Sequence, residues 1–188
     1  MLFIVIGIFG FVSLLVFDLM SMKDKVYLKY FFALFGLSLI TYATYQLMNF
    51  QSDLFLNETL RVLGLLFSVI FLILLIYSVL IEVGSNTYSK IAQPKLVTNG
   101  TYSLVRHPGV IWLFLLYFWL AIYTQNSLIL LSAFIWSFVN IIYVVIQEKL
   151  VLSKLFQDYQ EYRNSTPMVI PNFMSIKKFI TTNNWRKE

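Results

Sequence analysis

From Pro108 to Gln147 the chain runs 40 residues without a charged side chain, with Arg106-His107 on one side and Glu148 on the other. A single helix of that length would measure about 60 Å, roughly twice the 30 Å hydrocarbon thickness of a bilayer. The stretch is therefore expected to double back as a helical hairpin, turning at the polar run Thr124-Gln125-Asn126-Ser127. A hairpin returns to the membrane face it left. The only histidine of the chain and an acid 41 positions later would then share that face, which is the layout of a site.

The rest of the sequence agrees with a membrane setting. Hydrophobic residues make up 59% of the 188 positions and charged residues 12%, a balance that excludes an ordinary soluble domain and leaves room for one membrane domain. There is no cysteine, which rules out disulfides, thiolate zinc sites and a cysteine nucleophile. One histidine makes a metal centre a poor expectation.

Five apolar segments are read as spans: Met1 to Phe17, Tyr30 to Phe50, Val62 to Ile81, Val110 to Tyr123 and Leu128 to Gln147. The first lacks the basic leader and small-residue cleavage site of a signal peptide and is expected to be retained. The fourth is short for a crossing. Lysine and arginine collect in the connections after the first and third spans (Lys23, Lys25, Lys29; Lys90, Lys95, Arg106) and in the C-terminal tail. Gln51 to Glu58 and Thr124 to Ser127 have none. The positive-inside rule then puts the N-terminus outside and the C-terminus in the cytoplasm. The net charge of +5 is explained by the inner leaflet, with no nucleic acid required. The fold expected is all-α, with about five transmembrane helices in a single domain. Residues 1–81 would form three N-terminal spans, 82–171 a functional half, and 172–188 a basic tail.

Polar chemistry concentrates in two segments on that cytoplasmic side. The loop Glu82 to Gly109 carries turn signals at Gly84-Ser85-Asn86, Pro94 and Asn99-Gly100. From Glu148 to Arg163, apolar residues Leu152, Leu155, Phe156, Tyr159 and Tyr162 recur at three- and four-residue steps, predicting one amphipathic helix stopped by Pro167 and Pro171. In the N-terminal spans, Gly36 and Ser38 with Gly64 and Ser68 are candidates for close helix approach.

The run Leu96-Val97-Thr98-Asn99-Gly100-Thr101-Tyr102-Ser103-Leu104-Val105-Arg106-His107-Pro108 is followed by the hairpin. Gln147-Glu148, Tyr159, Tyr162, Thr166-Pro167 and Ile170-Pro171 come next. In that order these elements resemble the membrane methyltransferases typified by isoprenylcysteine carboxyl methyltransferase and the phospholipid N-methyltransferases. The likeness covers about the C-terminal half of the chain. It implies an S-adenosylmethionine site between the loop before the hairpin and the segment after it, lined by Leu96, Val97, Gly100, Tyr102, His107 and Glu148, to which the residue chemistry adds Arg106 and Tyr159. It also implies a lipophilic or lipid-modified acceptor, with membrane lipids as the other partners; His107, Glu148 and Arg163 are the candidate catalytic residues. The sequence departs from the family pattern at Val110, Trp112, Gln147, Phe156, Ser165 and Met168.

The residue chemistry suits such a cofactor. A sulfonium, an ammonium, a carboxylate and an adenine call for an acid, donors and aromatic faces. Glu148 can pair with the ammonium; His107, Arg106 and the Asn99-Gly100 amides can serve the adenine or carboxylate; Tyr102 and Tyr159 offer faces to the sulfonium. Blander readings stand beside these. His107 and Glu148 also suit the ends of membrane helices, Tyr159 and Tyr162 suit interfacial anchors, and Arg163 suits lipid phosphate. Two other classes remain open: a reductase of the sterol type using a nicotinamide cofactor, and a non-catalytic membrane protein that keeps the fold.

Overall fold

A computed structural model describes residues 1–23, 26–51, 53–54, 56–83 and 95–182. The turn signals at Gly84-Ser85-Asn86 and Pro94, together with Lys25, Lys90, Arg186 and Lys187, lie outside the described residues. Among the described residues the fold is all-helical, without strands. The helices are α1 (Leu2–Ser21), α2 (Val26–Met48), α3 (Glu58–Ile76), α4 (Thr101–Leu104), α5 (Pro108–Thr124), α6 (Ser127–Gln147), α7 (Tyr159–Ser165) and α8 (Phe173–Thr182). A π-helical turn, Tyr77–Glu82, prolongs α3; another, Glu148–Leu152, prolongs α6 and is closed by Ser153–Leu155.

Among the described residues four helical stretches are long and apolar enough to cross a membrane: Leu2–Ser21, Tyr27–Met48, Glu58–Glu82 and Ser127–Leu155. The fourth expected span, Val110 to Tyr123, falls within Pro108–Thr124, a shorter apolar helix of 17 residues and about 26 Å. Boundaries differ from the sequence reading at several helices: α2 runs Val26–Met48 rather than Tyr30 to Phe50, and α5 starts at Pro108 rather than Val110. Asn57 starts α3 earlier than Val62, because its side chain accepts a hydrogen bond from Leu60 N at 2.9 Å. α1 continues past Phe17 through the buried Asp18, whose carboxylate is satisfied from α6 by the Tyr143 hydroxyl and by Gln147 Nε2 at 2.9 Å.

The hairpin turns where its polar residues stand. Gln125 takes the left-handed conformation (φ 53°), and Asn126 caps α6 by accepting from Leu128 N at 2.9 Å. The Asn126 amide donates to Leu47 O at the end of α2 (3.0 Å), and Gln125 O accepts from Asp53 N and Leu54 N (2.9 Å each). These bonds tie the tip of the hairpin to the α2–α3 connection.

Packing is built around small residues and tryptophan. α1 lies mainly on α2 and α3 mainly on α5, with the hairpin joining the two pairs through the α1–α6 contact. A Cβ on Gly36 would stand 2.8 Å from Gly10 O, and one on Gly64 2.6 Å from Tyr123 N. Both glycines therefore allow backbones to touch, as expected of small residues in lipid, where packing replaces hydrophobic drive. Ser38 does not share this role, since it lies exposed on α2. Trp136 is fully buried, donates from Nε1 to Ile4 O at 2.9 Å, and meets Tyr117 edge-on at 4.9 Å. Trp112 stacks on Phe71 across the α3–α5 contact.

The single amphipathic helix expected from Glu148 to Arg163 is not formed. The helix ends at Leu155, the chain extends at Phe156 (φ −121°, ψ 117°), and α7 starts afresh at Tyr159. This break turns Tyr159 and Tyr162 inward to 3% and 6% exposure, whereas Leu155, on the supposed common stripe, stays exposed. Burying two large aromatic rings outweighs one uninterrupted helical stretch. Within the expected basic tail, Phe173–Thr182 is helical.

Candidate functional site

The site starts from a short loop that turns on a glycine. Gly100 has φ 59°, a conformation that disfavours any side chain, and a Cβ there would run into the Glu82 carboxylate. Glu82, at the end of the α3 extension, accepts from Thr101 N at 2.9 Å and from the Thr101 hydroxyl. An acid on the third span thereby fixes α4. Val105 then extends, fully buried, and the next two amides reach a strap between α7 and α8: Arg106 N donates to Pro167 O (2.9 Å) and His107 N to Met168 O (3.0 Å). Pro108 opens α5 at the position where its missing N–H costs nothing.

This corner holds three buried polar side chains. Arg106 Nε donates to Glu148 Oε1 at 2.9 Å, and its Nη2 reaches Oε2 at 3.4 Å. Its Nη1 donates to the carbonyls of Arg163 and Thr166 at 2.7 Å each. His107 Nε2 lies 2.8 Å from the same Glu148 Oε1. Arg106 and His107 are 8% exposed and Glu148 7%, so the group is a desolvated ion cluster rather than a surface pair. The π-helical turn at Glu148–Leu152 brings Glu148 and Val151 onto the buried side while leaving Lys149 and Leu150 outside. π-helical bulges of this kind are frequent at functional sites.

Tyrosines form the next shell. The Tyr162 hydroxyl donates to Tyr102 O at 2.6 Å, and its ring stands edge-on to Tyr159 at 6.2 Å. The Tyr159 hydroxyl is buried and faces Glu148 and Arg106, which both interact with it, without a hydrogen bond of good geometry. Burial, reinforced by the Glu148 carboxylate, holds this phenol well above its ordinary range. Burial likewise raises Tyr162, with Tyr102 beside it, and Tyr102, with the Glu82 charge adding to the effect. All three stay neutral donors at physiological pH.

A cleft of about 320 Å³ adjoins this group, lined by Lys95, Leu96, Asp158, Glu161, Tyr162 and Lys178 among others. That is at the low end of ligand-pocket volumes, which run from about 300 to 1,000 Å³. Tyr162 belongs to both the cleft and the tyrosine shell.

The sequence-expected residues thus fall into three sets. Arg106, His107, Glu148 and Tyr159 come together in one cluster. Leu96 lines the cleft, Tyr102 and Gly100 build the loop beside it, and Val97 is half-buried in the same segment. Arg163 supplies its carbonyl to Arg106 while its side chain is exposed, so the guanidinium expected to be catalytic stands outside the cluster. Glu148 is also engaged differently from the expectation of a carboxylate waiting for a ligand ammonium, since Oε1 already receives Arg106 and His107.

Sequence reasoning gives no role to Glu82 or Asp18 and names Thr166 only within the Thr166-Pro167 pair. The first two are acids within or at the end of apolar runs, a signal that was legible. Thr166 acts through its carbonyl, which no side-chain pattern announces.

The donor set fits S-adenosylmethionine on two observations. The Arg106 contact at Glu148 Oε2 is long, 3.4 Å, although a carboxylate oxygen accepts two bonds, and the buried Tyr159 hydroxyl beside that carboxylate makes no hydrogen bond of good geometry. Together they can take one ammonium and one acceptor group of an amino-acid moiety. Among the described residues no group of three or more histidines, cysteines or acids could hold a metal ion.

Comparison with known proteins covers Arg106, His107, Glu148 and Tyr159 of this corner, and not the residues from Gln160 onward. Residues 59–159 match the family model described as phospholipid methyltransferase, a span running from the start of α3 through the hairpin to Tyr159. No curated protein and no solved structure matches the chain.

Proposed function

The chain belongs to the phospholipid methyltransferase family, and from this premise we propose that it transfers the methyl group of S-adenosylmethionine to a lipophilic acceptor reached from the bilayer. It is a methyltransferase with membrane-spanning helices; the donor, the acceptor and the residue roles are the proposal. The observation that carries it is the buried Arg106–Glu148–His107 cluster with the buried Tyr159 hydroxyl beside it at the base of the apolar hairpin.

S-adenosylmethionine supplies an electrophilic methyl on a sulfonium. In-line displacement needs orientation and exclusion of water more than it needs catalytic side chains. The residues present are suited to those tasks. Glu148 Oε2 and the Tyr159 hydroxyl would hold the amino-acid end, and Arg106, anchored by two carbonyls, keeps Glu148 from moving. The Leu96 side of the cleft would take the adenosine, and the tyrosine faces suit a cation. A carboxylate or thiolate acceptor needs no base. From an ammonium or hydroxyl acceptor the proton would pass to the His107–Glu148 pair. An isoprenylcysteine carboxylate and a phospholipid are the two acceptor classes to compare.

Orientation belongs to the same reading. Lys23, Lys29, Lys95, Arg106, Lys149, Lys154, Arg163, Lys177 and Lys178 cluster toward the site end, while Arg61 near the hairpin tip is paired with Glu58 at 2.9 Å. This asymmetry supports a cytoplasmic site and C-terminus with the N-terminus outside.

Calorimetric titration of detergent-purified protein with S-adenosylmethionine and S-adenosylhomocysteine tests the proposal. Saturable binding that weakens by about ten-fold or more in Glu148→Gln and Tyr159→Phe is expected from the loss of charge-assisted and buried contacts. A folded wild type that binds neither ligand, or that binds reduced nicotinamide dinucleotide phosphate instead, sinks it.

A further inference from the structure

α8 is an inverted amphipathic helix. Its start is fixed by reciprocal capping: Ser175 N donates to Asn172 Oδ1 (2.8 Å) and Asn172 N to Ser175 Oγ (3.1 Å). Ser175, 1% exposed, belongs to the inner side, where α8 packs on α4. The opposite side holds Phe173, Ile176, Lys177 and Ile180, which share a face at three- and four-residue steps. Phe173 is 83% exposed, Ile180 60% and Ile176 43%; Ile170 and Met174 beside them are 82% and 77% exposed. A pre-formed helix bathed in water would present the reverse arrangement.

The position of α8 identifies what covers this face. α4, against which it packs, leads within four residues into α5, so α8 lies at the level where the apolar hairpin leaves the membrane. An in-plane helix there meets the boundary between head groups and acyl chains, which takes apolar side chains on one flank and favours lysine beside phosphate. Lys177 sits within the apolar face and the neighbouring segments are rich in lysine, a charge pattern complementary to anionic lipid. The strap leading into α8 is the one bonded to Arg106 and His107 through Pro167 O and Met168 O.

We propose that α8 seats in the site-side leaflet of an anionic bilayer, with Phe173, Ile176 and Ile180 immersed and Lys177 at the phosphates, and that this seat holds the strap against the Arg106–His107 corner. The inference goes beyond methyl transfer and does not depend on it.

The absence of cysteine makes the test direct. Full-length protein carrying Phe173→Cys, Ile180→Cys or, as an exposed control on α7, Gln160→Cys is labelled with bimane. It is then reconstituted in phosphatidylcholine vesicles with or without about 30% phosphatidylglycerol. Shallow lipid-borne nitroxide should quench the labels at 173 and 180 by about two-fold or more and aqueous iodide should quench only the one at 160. Iodide quenching at 180 equal to that at 160 overturns the seat.

For the coupling, Phe173→Ser/Lys177→Glu/Ile180→Ser should speed deuterium exchange at the Arg106 and His107 amides by about ten-fold or more, with the α5–α6 interior unchanged. Unchanged exchange at those two amides overturns it. If the interior loosens as well, Lys177→Glu alone decides. Exchange that depends on phosphatidylglycerol in the wild type and not in the variant supports the coupling, and no dependence in either refutes it.

Discussion

Removing Glu148 should be the most damaging single change at the site. In Glu148→Ala, Arg106 loses its 2.9 Å bond from Nε and the 3.4 Å contact from Nη2, and His107 loses its 2.8 Å partner. Nη1 keeps its two carbonyls, so the guanidinium stays in place as a charge without a counter-ion at 8% exposure. Breaking a buried pair in this way costs about 3–5 kcal/mol, because the remaining charge cannot regain its water. For a chain of this size each kcal/mol corresponds to about 2–4 °C in melting temperature, so the midpoint should fall by about 6–20 °C. Arg163→Ala is the internal control: it deletes an exposed side chain and leaves the carbonyl that Arg106 uses, so its cost should stay within about 0.5 kcal/mol. Thermal unfolding of both variants in one detergent, followed by tryptophan fluorescence, makes the comparison. A Glu148→Ala midpoint equal to wild type, or an equal fall in Arg163→Ala, would show that the cluster is not the buried pair described.

Other expectations follow from the same geometry. Gly64→Ala should destabilise by about 1–3 kcal/mol in the same melt, since its Cβ meets Tyr123 N at 2.6 Å and two backbones must part, whereas Ser38→Leu on the open face of α2 should be silent. Asp18→Ala should cost about 1–3 kcal/mol by stranding the Tyr143 hydroxyl and Gln147 amide between α1 and α6, and Asp18→Asn less. Asp53 is held below its ordinary 3.8 by the side-chain and backbone hydrogen bonds from Ser127. A depressed carboxylate stabilises fully above the unfolded value and loses that effect as pH falls through the folded one. Melting followed downward from pH 5 should therefore show an acid-side decline below about pH 4 that is smaller in Asp53→Asn, and identical profiles would remove Asp53 from the clasp.

The 40 charge-free residues imposed the hairpin by length alone, because a bilayer allows about 20 residues per crossing. The polar run from Thr124 to Ser127 located the turn, and the meeting of His107 with Glu148 follows from those two constraints. Gly36 and Gly64 were legible as points of close approach for an equally local reason, the absence of a side chain. The terminal segment was not legible. Its apolar spacing suited one long helix, but that pattern cannot weigh a continuous hydrogen-bond ladder against the burial of Tyr159 and Tyr162, which depends on partners far away in sequence such as Tyr102 O on α4. The same limit hid the occupancy of Glu148. Sequence placed an acid beside a histidine. Only the tertiary structure showed that Arg106 is drawn in with them, that carbonyls of Arg163 and Thr166 complete its shell, and that Glu82 arrives from the third span to set the loop. Local pattern and membrane thickness determine where helices begin, cross and turn. Which buried charges find one another is decided by long-range desolvation, since each must be matched by whatever partner the packed bundle brings within reach.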